Sequence, residues 1–145
     1  MLAQVRDSVL AAMQPHGPVV AWIVDDTGFP KKGQHSVGVA RQYCGQVGKQ
    51  DNCQVAVSVS VASWNSSLPI AYQLYLPESW TKDPQRCERA GVPEEIEFQT
   101  KLQIALEQIR QAVQAEVERG VVLADLPMVT TVIFARESQN WSCNM

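Results

Sequence analysis

The stretch VVAWIVDDTGFPKKG, Val19 to Gly33, decides how the rest of the chain is read, because an apolar run stops there at two carboxylates. Val19, Val20, Ala21, Trp22, Ile23 and Val24 contain no polar break, and such a short run bounded by turn residues fits a strand buried on both faces. Asp25 and Asp26 then fall at the rim of a core. A carboxylate at the carboxyl end of a central strand sits on rigid backbone near bulk water, where it ionises and suits a hard cation such as Mg2+. The same two acids equally suit the start of a turn continued by Thr27, Gly28, Phe29 and Pro30. Both readings stand at this point.

Working outward, 145 residues with 46% hydrophobic and 19% charged residues have the length and composition of one globular domain with a substantial core. The formal net charge of -3 lacks the footprint of an autonomous duplex-DNA binder, so any contact with nucleic acid has to use a local basic patch or another domain. Cys44, Cys53, Cys87 and Cys143 form no CxxC pair, and only His16 and His35 are available beside them, which argues against structural zinc. No apolar stretch approaches a membrane span and no signal peptide opens the chain, so a cytoplasmic protein with reduced thiols and no membrane partner is expected.

Val5, Val9 and Met13 recur at helical spacing before the Pro15, Gly17, Pro18 break, predicting a short amphipathic helix. Thr27 to Asn52 reads as a long polar link, with Lys31, Lys32, Arg41 and Lys49 against the single acid Asp51. That segment is either a phosphate-facing loop or a solvated connection. It is no P-loop, because Gly48-Lys49 is followed by Gln50 and lacks the glycine five positions earlier. Alternation over Gln54 to Ser63 predicts a strand with Val55, Val57, Val59 and Val61 on one face. Ile70, Tyr72, Leu74 and Leu76 repeat the alternation after Asn65, Ser66 and Ser67, predicting a hairpin. Residues 78 to 92 turn polar and read as a surface connection with a helical turn, anchored by Trp80 and Cys87. Thr100 and Gln103 make a capping box, the stripe Leu102, Ala105, Leu106, Ile109, Ala112, Val113 and Val117 makes a helix face, and Gly120 sits where a terminating glycine belongs. Val121 to Ala124 is a second short apolar run, and it too ends on an acid, Asp125.

The predicted order is therefore strand, strand, strand, helix, strand, an α/β arrangement in which a crossover helix lets the last strand run parallel to the first. Both carboxyl ends then reach one rim, and Asp25 and Asp125 share a metal. That is the ribonuclease-H-like topology, with an incomplete mixed sheet. Two acids held that close repel each other unless a cation lies between them.

Four segments carry a more specific likeness: WIVDDTGFPKKGQHSVGVARQYCGQVGKQDNCQVAVSVS, LPIAYQLYLPESW, RAGVPEEIEFQTK and GVVLAD. From about Trp22 to Asp125 they closely resemble the DDE-type transposases of bacterial insertion sequences, the DDE superfamily endonuclease group. The resemblance implies a metal-dependent nuclease and strand-transfer domain over residues 19–125, preceded by a lead-in helix over residues 1–18. It implies two Mg2+ or Mn2+ ions, and DNA, as transposon ends and target, for a partner. The first acid falls on the Asp25-Asp26 pair and the second on Asp125. Asp25 is preferred because Thr27 follows it by two residues, with Asp26 the alternative. Lys31, Lys32, Arg41 and His35 would approach DNA phosphates.

After Asp125 the chain departs from the family pattern. Residues 126–145 run LPMVTTVIFARESQNWSCNM, and Glu137 is too near Asp125 to be given the third acidic role. The expectation is a reading frame truncated or shifted after the second acid, with a divergent tail, no transposition by the chain alone, and a location at the nucleoid. Two other readings are a non-catalytic module that joins intact transposase or occupies its DNA, and a decayed gene product.

Overall fold

The computed structural model describes residues 2–124. Asp125 and the tail 126–145, given roles in the sequence analysis, lie outside the described residues. Helix α1 (Leu2–Met13) leads through a 3-10 turn (Gln14–His16) into β1 (Ala21–Pro30), followed by β2 (Ala40–Cys44), β3 (Lys49–Ala62) and β4 (Ser67–Tyr75). Two short helices, α2 (Glu78–Thr81) and α3 (Pro84–Arg89), precede the long α4 (Lys101–Gln114) and then β5 (Val121–Ala124). The fold is mixed α/β with a mixed sheet of five strands, in the order β2-β3-β1-β5 with β4 also paired to β3.

The sheet is built around β3, whose 14 residues exceed a typical strand length. At one end of the β1–β3 ladder the Val20 amide donates to the Ala62 carbonyl (2.8 Å), and at the other the Lys31 amide donates to the Asn52 carbonyl (2.9 Å), so these strands are antiparallel. On the second edge of β3, β2 pairs antiparallel from Ala40↔Cys53 to Cys44↔Lys49. Because a strand has only two edges, β4 takes the later part of that edge, reached through a turn in which the Ser63 amide donates to the Ser66 carbonyl. Val55, Val57, Val59 and Val61 are all buried, and so are Ala56, Ser58 and Ala62. Both faces of β3 are covered, which its small alternate residues permit.

Two expectations change here. β1 does not turn at Asp25: it continues as strand through Asp26, Thr27, Gly28 and Phe29 to Pro30, because β3 offers a ladder partner that far. The strand ends at Pro30, one residue before the Lys31 amide makes its bond to β3. The polar link of 27–52 likewise contains strand β2 and the first residues of β3, so four strands rather than three precede the helices.

The chain divides into two compact units. In the first, residues 2–25, 58–72 and 105–124 of the described chain, β5 runs parallel to β1 in the register Ala21↔Val121, Trp22↔Val122, Ile23↔Leu123, Val24↔Ala124. Gly120 makes this approach possible, since a Cβ there would lie 2.6 Å from the Ala21 nitrogen and the Val20 carbonyl carbon. The expected role of Gly120 as helix terminator falls instead to the turn around Glu116, which has φ 55. Although β5 is an apolar run, Val121 is 66% and Leu123 51% exposed.

In the second unit, residues 26–57 and 73–104, Trp80 is completely buried with Val39 and Leu76, and Val37, Cys87, Ala90 and Val92 pack around them. The anchoring role read for Trp80 and Cys87 is what the structure shows. Cys44, Cys53 and Val55 form another buried cluster. Burial, reinforced by the neighbouring Cys44, pushes the Cys53 thiol up to about 11, so it is a neutral, buried thiol at physiological pH.

Candidate active site

β1 and its neighbours position the acids singled out in the sequence. Successive side chains on a strand point to opposite faces, so Asp25 and Asp26 cannot serve the same face. Asp25 is exposed, whereas Asp26 follows Trp22 and Val24 on the more buried face and is itself half-buried. The Asp26 Oδ2 accepts from Lys101 Nζ at 2.5 Å, with both side chains largely shielded from solvent (22% and 28% exposed). That ammonium also lies 5.5 Å from the centre of the Tyr75 ring.

Lys101 is the residue that sequence reasoning missed. It opens α4 directly after the capping box, in which the Thr100 amide donates to Gln103 Oε1 (2.8 Å) and the Gln103 amide to Thr100 Oγ1 (3.2 Å). A cation in the first helical turn is disfavoured by the helix dipole, and a nearby opposite charge offsets that cost. Asp26 supplies that charge. The anomalous lysine just inside a capping box was the signal available in the sequence.

Asp25 belongs to the unit in which β5 is fixed on β1. The Val121 amide donates to the Val20 carbonyl (3.0 Å), and Trp22 Nε1 donates to the Glu118 carbonyl (2.8 Å), pinning the approach to β5. The register ends with Val24 opposite Ala124, and each of these residues is followed in sequence by an aspartate. Among the described residues no group of three or more His, Cys, Asp or Glu side chains is placed to hold a metal. The Asp25 carboxylate is a suitable hard-oxygen donor for Mg2+ or Mn2+, but further ligands are required.

The four predicted DNA-contacting residues, Lys31, Lys32, His35 and Arg41, are all exposed in the second unit, and the structure sorts them into two places. Lys31 and Arg41 flank Asn52 on its two sides: the Lys31 amide donates to the Asn52 carbonyl, and Arg41 is the β2 partner of Asn52. Two strand spacings separate them, about 10 Å. The Asn52 Nδ2 donates to the carbonyls of Lys31 (2.7 Å) and Gly33 (2.8 Å), fixing the start of the loop that carries Lys32. His35 instead lines a cavity with Arg86 and Arg89.

The fold class narrows to a family on comparison with known proteins. The family described as DDE superfamily endonuclease matches residues 1–126. Over 109 residues, 75% of this chain, the sequence is 32% identical to the "Probable transposase for insertion sequence element IS701" of Microchaete diplosiphon. That match spans 26%, about a quarter, of the relative's length. No solved structure matches the chain. The chain belongs to the DDE superfamily endonuclease family, in the group of DDE-type insertion-sequence transposases. Among the described residues, no helix is long and apolar enough to cross a membrane.

Proposed function

We propose that residues 19–125 are part of a ribonuclease-H-like transposase catalytic domain, that Asp25 and Asp125 are its first two metal-binding acids, and that DNA is its substrate. The observation that carries this reading is the parallel β1–β5 register, which ends with Val24 opposite Ala124, the residues immediately before the two aspartates. Family membership supplies the context. Asp25 is preferred because it directly follows Val24, which closes the register with β5, and Asp26, whose carboxylate is paired with Lys101, is the alternative.

In this reading the parent reaction is hydrolysis at transposon ends, followed by attack of a 3'-hydroxyl on target DNA. Two divalent cations, Mg2+ or Mn2+, would activate the attacking hydroxyl and stabilise the leaving oxygen. The chain's own contribution is to present the Asp25 carboxylate on ladder-held backbone, while Lys31, Lys32 and Arg41 meet the phosphates as cations. In-line transfer tolerates little misplacement of its groups, and Glu137 is too near Asp125 in the sequence to be given the third acidic role. The 145-residue chain is accordingly expected to bind cations weakly and to leave DNA uncut by itself. It would act at the nucleoid as a fragment of a transposase or as a partner that blocks an intact one.

Paramagnetic Mn2+ titration followed by NMR tests the assignment. Amide signals around residues 24–25 are expected to broaden in the wild-type chain and after Asp26→Asn, and to stay sharp after Asp25→Asn. Broadening that survives Asp25→Asn but vanishes after Asp26→Asn would reverse the choice of acid. Efficient Asp25-dependent cutting of labelled end DNA by this chain would refute the expected inactivity.

A further inference from the structure

The second unit holds a cavity of about 370 Å3 lined by Gln34, His35, Trp80, Arg86, Arg89 and Ala90, which the β1 aspartates do not share. We infer that it is a phosphate-binding site whose ligand is a backbone phosphodiester of DNA, an inference that rests on the DNA-processing reading above.

Arg86 is built into place. Its Nη2 donates to the carbonyls of Gln34 (3.1 Å) and Val39 (3.2 Å), and its guanidinium carbon lies 3.8 Å from the centre of the Trp80 ring. Trp80 is in turn fixed by complete burial and by its Nε1 donating to the same Val39 carbonyl (2.8 Å). A guanidinium held by stacking and two carbonyls loses little further freedom on binding an anion, which is the general benefit of preorganisation. Only Nη2 is used in those bonds. Nη1 and Nε make no hydrogen bond to a described residue and are not among the buried atoms lacking a partner, so an incoming oxygen pair can reach this edge of the fork.

Arg89 stands one turn along α3, with its Nε on the Gln85 carbonyl (3.3 Å), and His35 adds a third nitrogen base to the lining. Among the described residues no carboxylate lines the cavity. Of the acids on or beside α3, Asp83 is spent capping the Arg86 amide (3.0 Å), and Glu88 is exposed. A nucleobase is the poorer fit, because the one large aromatic ring among the described lining residues, Trp80, is fully buried and carries Arg86 on its face, which leaves only the small His35 imidazole for stacking. The chemistry therefore selects an anion with several oxygens.

The test uses the full chain, inorganic phosphate and a labelled random-sequence duplex. Phosphate is expected to shift the NMR signals of His35 and of the Arg86 and Arg89 side chains. Arg89→Gln, an exposed change that does not threaten folding, is expected to weaken duplex binding several-fold and to lower the salt dependence by about one phosphate contact. Arg119→Gln, equally exposed and not one of the lining residues, is expected to bind as wild type. Phosphate that leaves all three signals unmoved, or Arg89→Gln that binds duplex with wild-type affinity and salt slope, would overturn the site while leaving the transposase reading intact. Phosphate binding without any duplex binding by the wild-type chain would overturn DNA as the ligand and count against the transposase reading as well.

Discussion

The β1–β5 strand pair and the Trp80 region both hold charged side chains at the surface, but they do so by opposite means. At β1–β5 the backbone does the positioning: a parallel register, a glycine that admits the second strand, and amide-to-carbonyl bonds set where residue 25 stands. At Trp80 the side chains do it, with one buried indole supporting a guanidinium and a carbonyl that both groups share. A metal ligand in a two-ion site benefits from the first arrangement, because ladder geometry leaves a carboxylate little positional freedom. A phosphate contact tolerates the second. Mutations should therefore break the two regions through different atoms.

The largest effect is expected at the side-chain-held region. Trp80→Ala removes a fully buried indole and should cost about 3–5 kcal/mol of stability, read as a fall in the urea midpoint. Trp80→Phe keeps most of the volume but leaves the Val39 carbonyl with Arg86 alone, so it should cost about 1–2 kcal/mol. If Trp80→Ala and Trp80→Phe were equally costly, the hydrogen bond rather than the packing would be the anchor.

Gly120→Ala is the matching break in the backbone-held region. The added methyl would meet backbone atoms of Val20 and Ala21 at 2.6 Å, and backbone cannot swing aside as a flexible side chain can. A cost of about 1–3 kcal/mol is expected, with loss of amide protection at Val121 in hydrogen exchange. Retained protection would mean that β5 does not depend on the close approach.

How much of this was legible in the sequence follows the same division. Features carried by local pattern were read directly: the α1 helix, the alternating core of β3, the β3–β4 hairpin, the capping box at Thr100 and the short run 121–124. Trp80 was rightly taken as an anchor because an indole in a polar connection has few other uses. What pattern could not supply was pairing. β2 alternates Arg41 and Tyr43 outward with Gln42 and Cys44 inward, but glycines and polar residues on either side disguised it as a link. The continuation of β1 beyond Val24 depends on β3 reaching back to Lys49, a long-range contact no window of sequence contains. Lys101 and Arg86 were missed for the same reason, since their partners lie 75 and 47 residues away.

A smaller and sharper test concerns the adjacent aspartates. If Asp26 serves Lys101 while Asp25 serves a cation, a double-mutant cycle of Asp26→Asn and Lys101→Met should show a coupling of about 1–2 kcal/mol, between the values for exposed and buried ion pairs. The coupling should weaken modestly in high salt, because both side chains are largely shielded. A cycle that closes to within about 0.3 kcal/mol, the usual scatter for independent sites, would remove the reason for setting Asp26 aside.

The smallest effect probes how Lys101 comes to be where it is. Thr100 accepts from the Gln103 amide and Gln103 accepts from the Thr100 amide, so Thr100→Ala should cost about 1 kcal/mol, as loss of an N-cap does. Thr100→Ser keeps the hydroxyl and should be close to neutral. Because the cap fixes the first turn, its loss lets that turn fray and frees Lys101 from a single direction of approach. The Asp26–Lys101 coupling should therefore shrink in a Thr100→Ala background and stay unchanged with Ser at the position. A coupling indifferent to both changes would show that Asp26 captures the lysine without help from the helix start, and the ion pair would then be a cause rather than a consequence of where α4 begins.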